Sequence, residues 1–444
     1  MMSSVKTIHQ KDIQANGESM QGGEGVTVDA PGSVMIQMRK MRGQQILALV
    51  NEDKINAAEM VTLKMSGAYQ AQLWDLESGK RYQLPTAQEE DRTVVTVSLA
   101  PAGSMVVVFT QEEEALPLWK EAVSRVTGTL TAGEYAYELD EPNVCVLDYA
   151  RMKFQDDMAF GELDEVLRLD NQLRDRIGIE RRGGEMLQPW FAKQMYTVPY
   201  GRLELAYPFR IDVMPAGDVY LAGERPELQE YYCNGIRLTN DDPADWWVDN
   251  AFKKMKVPAE ALRLGENVIT IVTDFKRTTN VEAIYLLGQF GVIAKAGASV
   301  LTDMPQTMSL TDMTQRNLPF YSGRATLVIP ESVYGQLVDK TAKKILVKIP
   351  EATGTLVSIE QAGMKQAIAW EPWMADITET VKKGDDLRIT LVNSRRNSFG
   401  PLHCVPTLCY TYGPGEFVTE GERFSDAYAQ VPAAIGEVSF ICEE

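Results

Sequence analysis

The chain has 444 residues, and 44 Lys and Arg against 62 Asp and Glu give it a formal net charge of −18. An acidic balance of that size repels phosphate backbones and anionic lipid, so neither nucleic acid nor a membrane surface is an expected partner. Hydrophobic residues at 45% and charged residues at 24% are those of a globular protein, long enough for several separate cores.

No apolar run approaches the ~20 residues of a membrane helix, and residues 1–25 show no apolar signal core. The five cysteines, Cys145, Cys233, Cys404, Cys409 and Cys442, are odd in number and lack CxxC spacing. Neither a disulfide framework nor Cys-ligated zinc is expected, and the chain reads as reduced and cytoplasmic. His9 and His403 are the only histidines, and no P-loop, GxGxxG or HExxH occurs. Any chemistry must therefore rest on carboxylates.

Residues 1–24 read as a lead-in. Short apolar or alternating runs follow at Gln45–Val50, Val61–Met65, Ala71–Trp74, Thr93–Leu99 and Met105–Thr110. Turn clusters separate them, Gly79 giving the Glu77–Lys80 turn its hairpin character. Closely spaced short strands predict an antiparallel sandwich over 25–112. The acidic run Glu112–Glu114 marks a boundary, and Leu118–Val126 looks helix-prone. Strands are predicted at Glu134–Leu139, Val144–Phe154 and Leu203–Val213. Leu163, Val166, Leu167, Leu173 and Ile177 suit one helical face, or a strand ending in a short helix. Arg181–Gly184 is a loop.

The most informative feature is an internal repeat. One copy, Asp218–Thr273, contains VYLAGE, the YYCNG strand-turn at 231–235, Trp246-Trp247, Asp249 and the closing LRLGENVITIV. The other, Lys344–Asn393, contains ILVKI, VSIEQAG at 357–363, Trp370, Trp373, Asp376 and VKKGDDLRITLV. Two sandwiches of one design are expected. The tail Gly436–Cys442 reads as a returning strand, through which the second and third units would share strands.

These stretches resemble the galactose-binding-like jelly rolls of large glycoside hydrolases. Cys233-Asn234-Gly235, Trp246–Asp249 and Leu264–Ile269 match their pattern, while the second copy has Ala362-Gly363 and Asp385-Asp386 instead. Leu73–Gly79, Ala102–Val107, Asn280–Phe290, Pro319–Gly323 and Arg396–His403 extend the likeness in order. Together they resemble the C-terminal half of α-L-rhamnosidase-type enzymes. The resemblance implies an all-β fold: a small antiparallel β-sandwich (25–112), then two galactose-binding-like jelly rolls (113–298, with a helical insertion, and 299–444). In such enzymes the acid/base pair lies in a preceding barrel. A barrel needs about 250 residues, which this chain does not have before residue 25, so no catalytic residue is carried over.

The candidate sugar-binding residues are Trp246, Trp247, Asp249, Trp370, Trp373, Asn393, Arg395, Arg396, Asn397 and His403. Tryptophan faces stack on sugar C–H surfaces, and Arg and Asn direct hydrogen bonds to hydroxyls. Each also has a structural alternative: tryptophans capping a core, Asp249 and Asp376 capping turns, the 393–403 group pinning a loop. Glu282 and Tyr285 either contribute an edge toward a neighbouring catalytic pocket or belong to the core, with a buried carboxylate paired to an Arg such as Arg277. Glu224 with Glu282 is the one carboxylate pair worth naming. The chemistry asks for no cofactor, though the aspartates suit a structural calcium. The expected function is a non-catalytic carbohydrate-binding and structural region, with plant or microbial glycan and a barrel-bearing catalytic chain as partners. A glycoside hydrolase using carboxylates in an inter-domain cleft, and an interaction scaffold without a sugar site, are the alternatives.

Overall fold

Alternating side chains build the first core. In the strand Gln44–Asn51, Leu47 and Leu49 point inward, and in Ala58–Ser66 the inward set includes Val61, Leu63 and Met65. The computed structural model describes residues 5–6, 20–22, 25–41, 43–76, 78–120, 124–182, 198–361, 363–406 and 417–443. The lead-in, apart from residues 5–6 and 20–22, lies outside these, as do His9, Glu77, Gly183, Gly184, Ala362 and Cys409.

Two sheets face each other across this first core. One runs in the order Val5–Lys6, Val34–Met41, Gln44–Asn51, Ser104–Thr110, Gln70–Trp74, Arg81–Gln83. The other runs Met20–Gly22, Val26–Asp29, Ala58–Ser66, Arg92–Leu99, Ala87–Glu89. Trp74 pairs with Arg81 across the expected hairpin, where Gly79 has φ +67°.

The fold is all-β, as expected. Among the described residues the strand pairs are antiparallel, apart from a parallel contact between Gly201–Ile211 and Val300–Thr302 and two isolated parallel bridges. Val144–Phe154 is not one strand. Asn143–Leu147 joins a five-stranded sheet, Tyr149–Phe154 joins an eight-stranded one, and Asp148 is the residue at the crossing. The Leu163–Ile177 segment forms a short strand, Leu163–Glu165, followed by helix α1, Val166–Ile177. The helix expected over Leu118–Val126 is absent among its described residues. Leu118 bridges Gln83, and Ser124–Leu130 is a strand paired with Val438–Glu443. Tertiary pairing here overrides a local preference.

The larger units are nested rather than consecutive. Ser124–Leu130 and Ala136–Leu139, expected in the second unit, pair with Val438–Glu443 and Arg324–Ile329 of the third. The chain leaves at Asp140, builds the second unit between Asn143 and Thr302, and returns beside its exit. Asp140 N donates to Arg324 O at 3.1 Å, and Arg324 N donates to Asp140 Oδ1 at 2.7 Å. The boundaries at 113 and 298 therefore give way to a core drawn from 130–135 and 308–442 that accommodates an inserted core. Tyr135 and Met308 exchange two backbone hydrogen bonds of 2.9 Å, which sets the chain before and after the insertion side by side.

The repeat is visible in the pairings. Val219–Glu224 pairs with Asp249–Val257 as Lys344–Lys348 pairs with Met374–Asp376. Glu230–Cys233 lies between Ile236–Leu238 and Gly265–Phe275, just as Leu356–Gln361 lies between Met364–Ile368 and Leu387–Val392. In the first copy Asn234 (φ +48°) and Gly235 (φ +83°) supply the left-handed turn. Asn234 Nδ2 donates to Asn267 Oδ1 at 2.8 Å, and Val268 N donates to Asn234 Oδ1 at 3.0 Å. The NG and GEN motifs thus clip the hairpin to its closing strand.

Candidate functional site

Helix α1 carries an unusual buried face. Leu169 and Leu173 enter the inserted core, and Asp170 and Arg174 are buried beside them. Arg174 Nε donates to Asp170 Oδ2 at 2.8 Å, while its Nη atoms donate to the carbonyls of Arg277 (3.0 Å) and Thr279 (3.1 Å). Asp170 is 4% exposed, and its Oδ1 has no hydrogen-bond partner among the described residues. Burial pushes the Asp170 carboxyl above its ordinary range, partly offset by the Arg174 hydrogen bond.

Asp170 lines a cleft of about 510 Å³ between the inserted unit and residues 398–403 and 417–419 of the outer one. Asp148, Glu165, Arg182 and Glu282 line it too. Glu165 caps α1, its Oε2 accepting from Arg168 N at 3.0 Å. Burial pushes its carboxyl up to about 7; the Asp148 charge adds to this, and backbone N–H groups and His403 oppose it. Arg182 Nη2 donates to Glu282 Oε1 at 2.5 Å, and Arg182 Nη1 is buried without a hydrogen-bond partner.

An aromatic wall completes the cleft. Phe252, Tyr285 and Phe399 line it, and Trp247 packs against all three with centroids 5.2 to 6.2 Å away. Phe252 and Phe399 are stacked at 5.2 Å and 16°. Trp247 is 5% exposed and its indole N–H has no acceptor among the described residues.

The outer chain is fastened to this site by polar contacts. His403 Nδ1 lies 2.8 Å from Ser425 O and Nε2 lies 3.1 Å from Asp148 Oδ2, while Tyr428 Oη donates to Asp148 Oδ1 at 2.7 Å. Burial pulls the His403 pKa down, but the hydrogen bond and charge of Asp148 outweigh it and leave the pKa raised. Arg168 sits over the Phe424 ring at 4.9 Å, and Asn171 Nδ2 donates to Thr419 Oγ1 at 3.2 Å.

Of the ten residues singled out in the sequence, His403 alone lines the cleft, with Trp247 behind its wall. Trp246 (47% exposed) and Trp370 (57% exposed) stand on the surface outside the cleft, and Trp373 packs on the third core. Asp249 Oδ1 accepts from Ala251 N at 2.8 Å, a turn-capping role. Asp376 does the same for Thr378 N at 2.9 Å. Arg395 forms a two-pronged ion pair with Glu141. Asn397 donates to Val431 O at 2.8 Å and accepts from Val431 N at 2.9 Å. Arg396 is buried at the start of the short helix Arg396–Phe399, and Asn393 Nδ2 lies 3.6 Å from Met313 Sδ. The 393–397 group thus pins the outer chain.

Glu282 and Tyr285 line the cleft, and the arginine paired with Glu282 is Arg182; Arg277 pairs with Glu180. Glu224 accepts from Asn280 Nδ2 at 3.1 Å, and burial followed by the Glu282 charge raises its pKa. Sequence reasoning missed Asp148, Asp170 and Arg182. The available signal was Asp170 and Arg174, an i, i+4 acid–base pair set on the same helix face as Leu173. Among the described residues no group of three or more His, Cys, Asp or Glu side chains is placed to hold a metal ion. None of their helices is long and apolar enough to cross a membrane. Cys145, Cys233, Cys404 and Cys442 are buried, and Cys145, Cys233 and Cys442 are free thiols.

No family model matches the chain, and no curated protein matches it. Its structural neighbours include rhamnosidases and other glycoside hydrolases. A rhamnosidase from Novosphingobium sp. PP1Y is 18% identical over 57% of this chain and 21% of its own, with a TM-score of 0.23. A β-porphyranase of glycoside hydrolase family 86 from Bacteroides plebeius is 11% identical over 61% and 38%, with a TM-score of 0.16. An α-L-rhamnosidase from Aspergillus terreus is 10% identical over 93% and 47%, with a TM-score of 0.17. The chain spans less than half the length of each.

Proposed function

We propose that this chain is a carbohydrate-binding and structural region of glycoside-hydrolase type, and that it takes glycan in the cleft beside α1. One observation carries the reading. Asp170 Oδ1 and Arg182 Nη1, both on residues lining the cleft, lack hydrogen-bond partners among the described residues. One accepts and the other donates, which is the complement of a sugar hydroxyl pair, since each hydroxyl does both. Leaving such groups unmet costs about 1–3 kcal/mol each, and a ligand recovers that cost. The Phe252, Tyr285 and Phe399 rings offer apolar faces for sugar C–H groups. The galactose-binding-like sandwiches and a barrel-bearing partner chain belong to this reading, which asks for no cofactor and leaves room for a structural calcium.

Calorimetric titration with D-galactose and L-rhamnose tests it. Saturable heat that disappears in Asp170→Asn, with the fold retained by circular dichroism, is the expected result. No saturation by either sugar, or equal binding by the variant, overturns it.

Hydrolysis in the same cleft is the second reading, and Glu165 favours it. A carboxyl near 7 next to a second carboxylate, Asp148, has the protonation a general acid needs. Release of reducing sugar from pectic or other plant oligosaccharides, abolished in Glu165→Gln, would establish it.

A further inference from the structure

Among the described residues Arg182 is the one arginine lining the cleft, and it is surrounded by carboxylates. Glu282 holds its Nη2 at 2.5 Å, and Arg182 acts electrostatically on both Asp170 and Glu224. Glu282 in turn acts on Asp170 and Glu224 by like-charge repulsion. Three carboxylates therefore share two guanidinium groups, those of Arg182 and Arg174. The unpartnered oxygen of Asp170, on a side chain more than nine-tenths buried, adds an acceptor that only a donor can satisfy.

On the reading that the cleft binds sugar, we infer that it selects neutral glycans against uronates, and that Glu282 sets this selectivity by occupying Arg182. A neutral diol offers a donor to Asp170 Oδ1 and an acceptor to Arg182 Nη1. A sugar carboxylate would bring a further negative charge against Asp148, Glu165, Asp170 and Glu282, which line the cleft, with no uncommitted cation among its described lining residues to meet it. Such juxtaposed like charges are an effective way to reject the wrong ligand. Glu282 touches Arg182 rather than the ligand in this arrangement, so it is a positioning residue. Replacing its carboxylate by an amide keeps the shape, removes one negative charge and releases the guanidinium for a bidentate carboxylate contact.

The test measures dissociation constants for D-galactose and D-galacturonate with the wild-type chain, Glu282→Gln, and the double variant Arg182→Gln/Glu282→Gln. The wild type should prefer galactose by at least tenfold. Glu282→Gln should shift the ratio toward galacturonate by at least tenfold, and the double variant should lose that gain. Salt should weaken galacturonate binding to Glu282→Gln but leave galactose binding nearly unchanged. Galacturonate bound by the wild type as well as galactose, or a ratio unmoved in Glu282→Gln, overturns the inference while leaving sugar binding intact. Neither sugar binding to any form overturns both readings. Glu282→Asp, which keeps the charge, should retain the wild-type preference and separates charge from packing damage.

Discussion

His403 and Asp148 join the inserted unit to the outer chain through an imidazole that has an acceptor at each nitrogen. Nδ1 faces the Ser425 carbonyl at 2.8 Å and Nε2 faces Asp148 Oδ2 at 3.1 Å. A carbonyl only accepts, and so does an ionised carboxylate, so the arrangement is best met by the imidazolium. That agrees with the raised pKa of His403 and makes this contact sensitive to pH.

The sign of that sensitivity follows from linkage. His403 has a raised folded pKa, so its contribution is complete below the unfolded value of about 6.5 and is lost as pH rises through the folded one. Glu165, raised from 4.5 to about 7, acts in the same direction: its contribution is complete below 4.5 and is lost by the time pH passes 7. Urea unfolding between pH 5 and 8 should show stability falling with rising pH, by on the order of 3 kcal/mol from Glu165. Glu165→Gln should flatten most of that slope. A slope unchanged in the variant would remove Glu165 from the account.

Arg174 is fully buried, and its guanidinium serves Asp170 and two carbonyls. Arg174→Met should destabilise the chain by about 3–5 kcal/mol, because it strands a buried carboxylate. The double variant Asp170→Leu/Arg174→Met should recover part of that loss. Chemical denaturation of the three forms gives the comparison.

Asn397 makes two hydrogen bonds to Val431. Asn397→Ala should cost about 1–3 kcal/mol. The loss should be local, with faster amide exchange around Val431 and little change in the first sandwich. Uniform loss of protection would contradict a pinning role.

Phe399 belongs to the outer chain but packs among Trp247, Phe252 and Tyr285 of the inserted unit. Phe399→Ala should weaken galactose binding at least tenfold, which is about 1.4 kcal/mol. Trp246→Ala, on the surface outside the cleft, should leave it within twofold. Calorimetry on both variants separates the buried wall from the exposed tryptophan.

Local pattern alone determined the β character of this protein. Leu47 and Leu49, or Val61, Leu63 and Met65, reveal an inward face because a strand repeats every two residues, whatever lies across from it. The repeat was legible for the same reason, and Asn234 with Gly235 announced a left-handed turn that few other residues accept. The nesting of one unit inside another was not legible, since nothing in Ser124–Leu130 encodes that its partner is Val438–Glu443. Nor was the cleft. Asp148 sits where one strand run divides between two sheets, Asp170 on a helix, Arg182 in a loop and His403 more than 200 residues on. Side-chain periodicity is a short-range property. The meeting of these charges depends on long-range closure of the chain, and only the packed structure decided which carboxylate found a cation and which oxygen was left without a partner among the described residues.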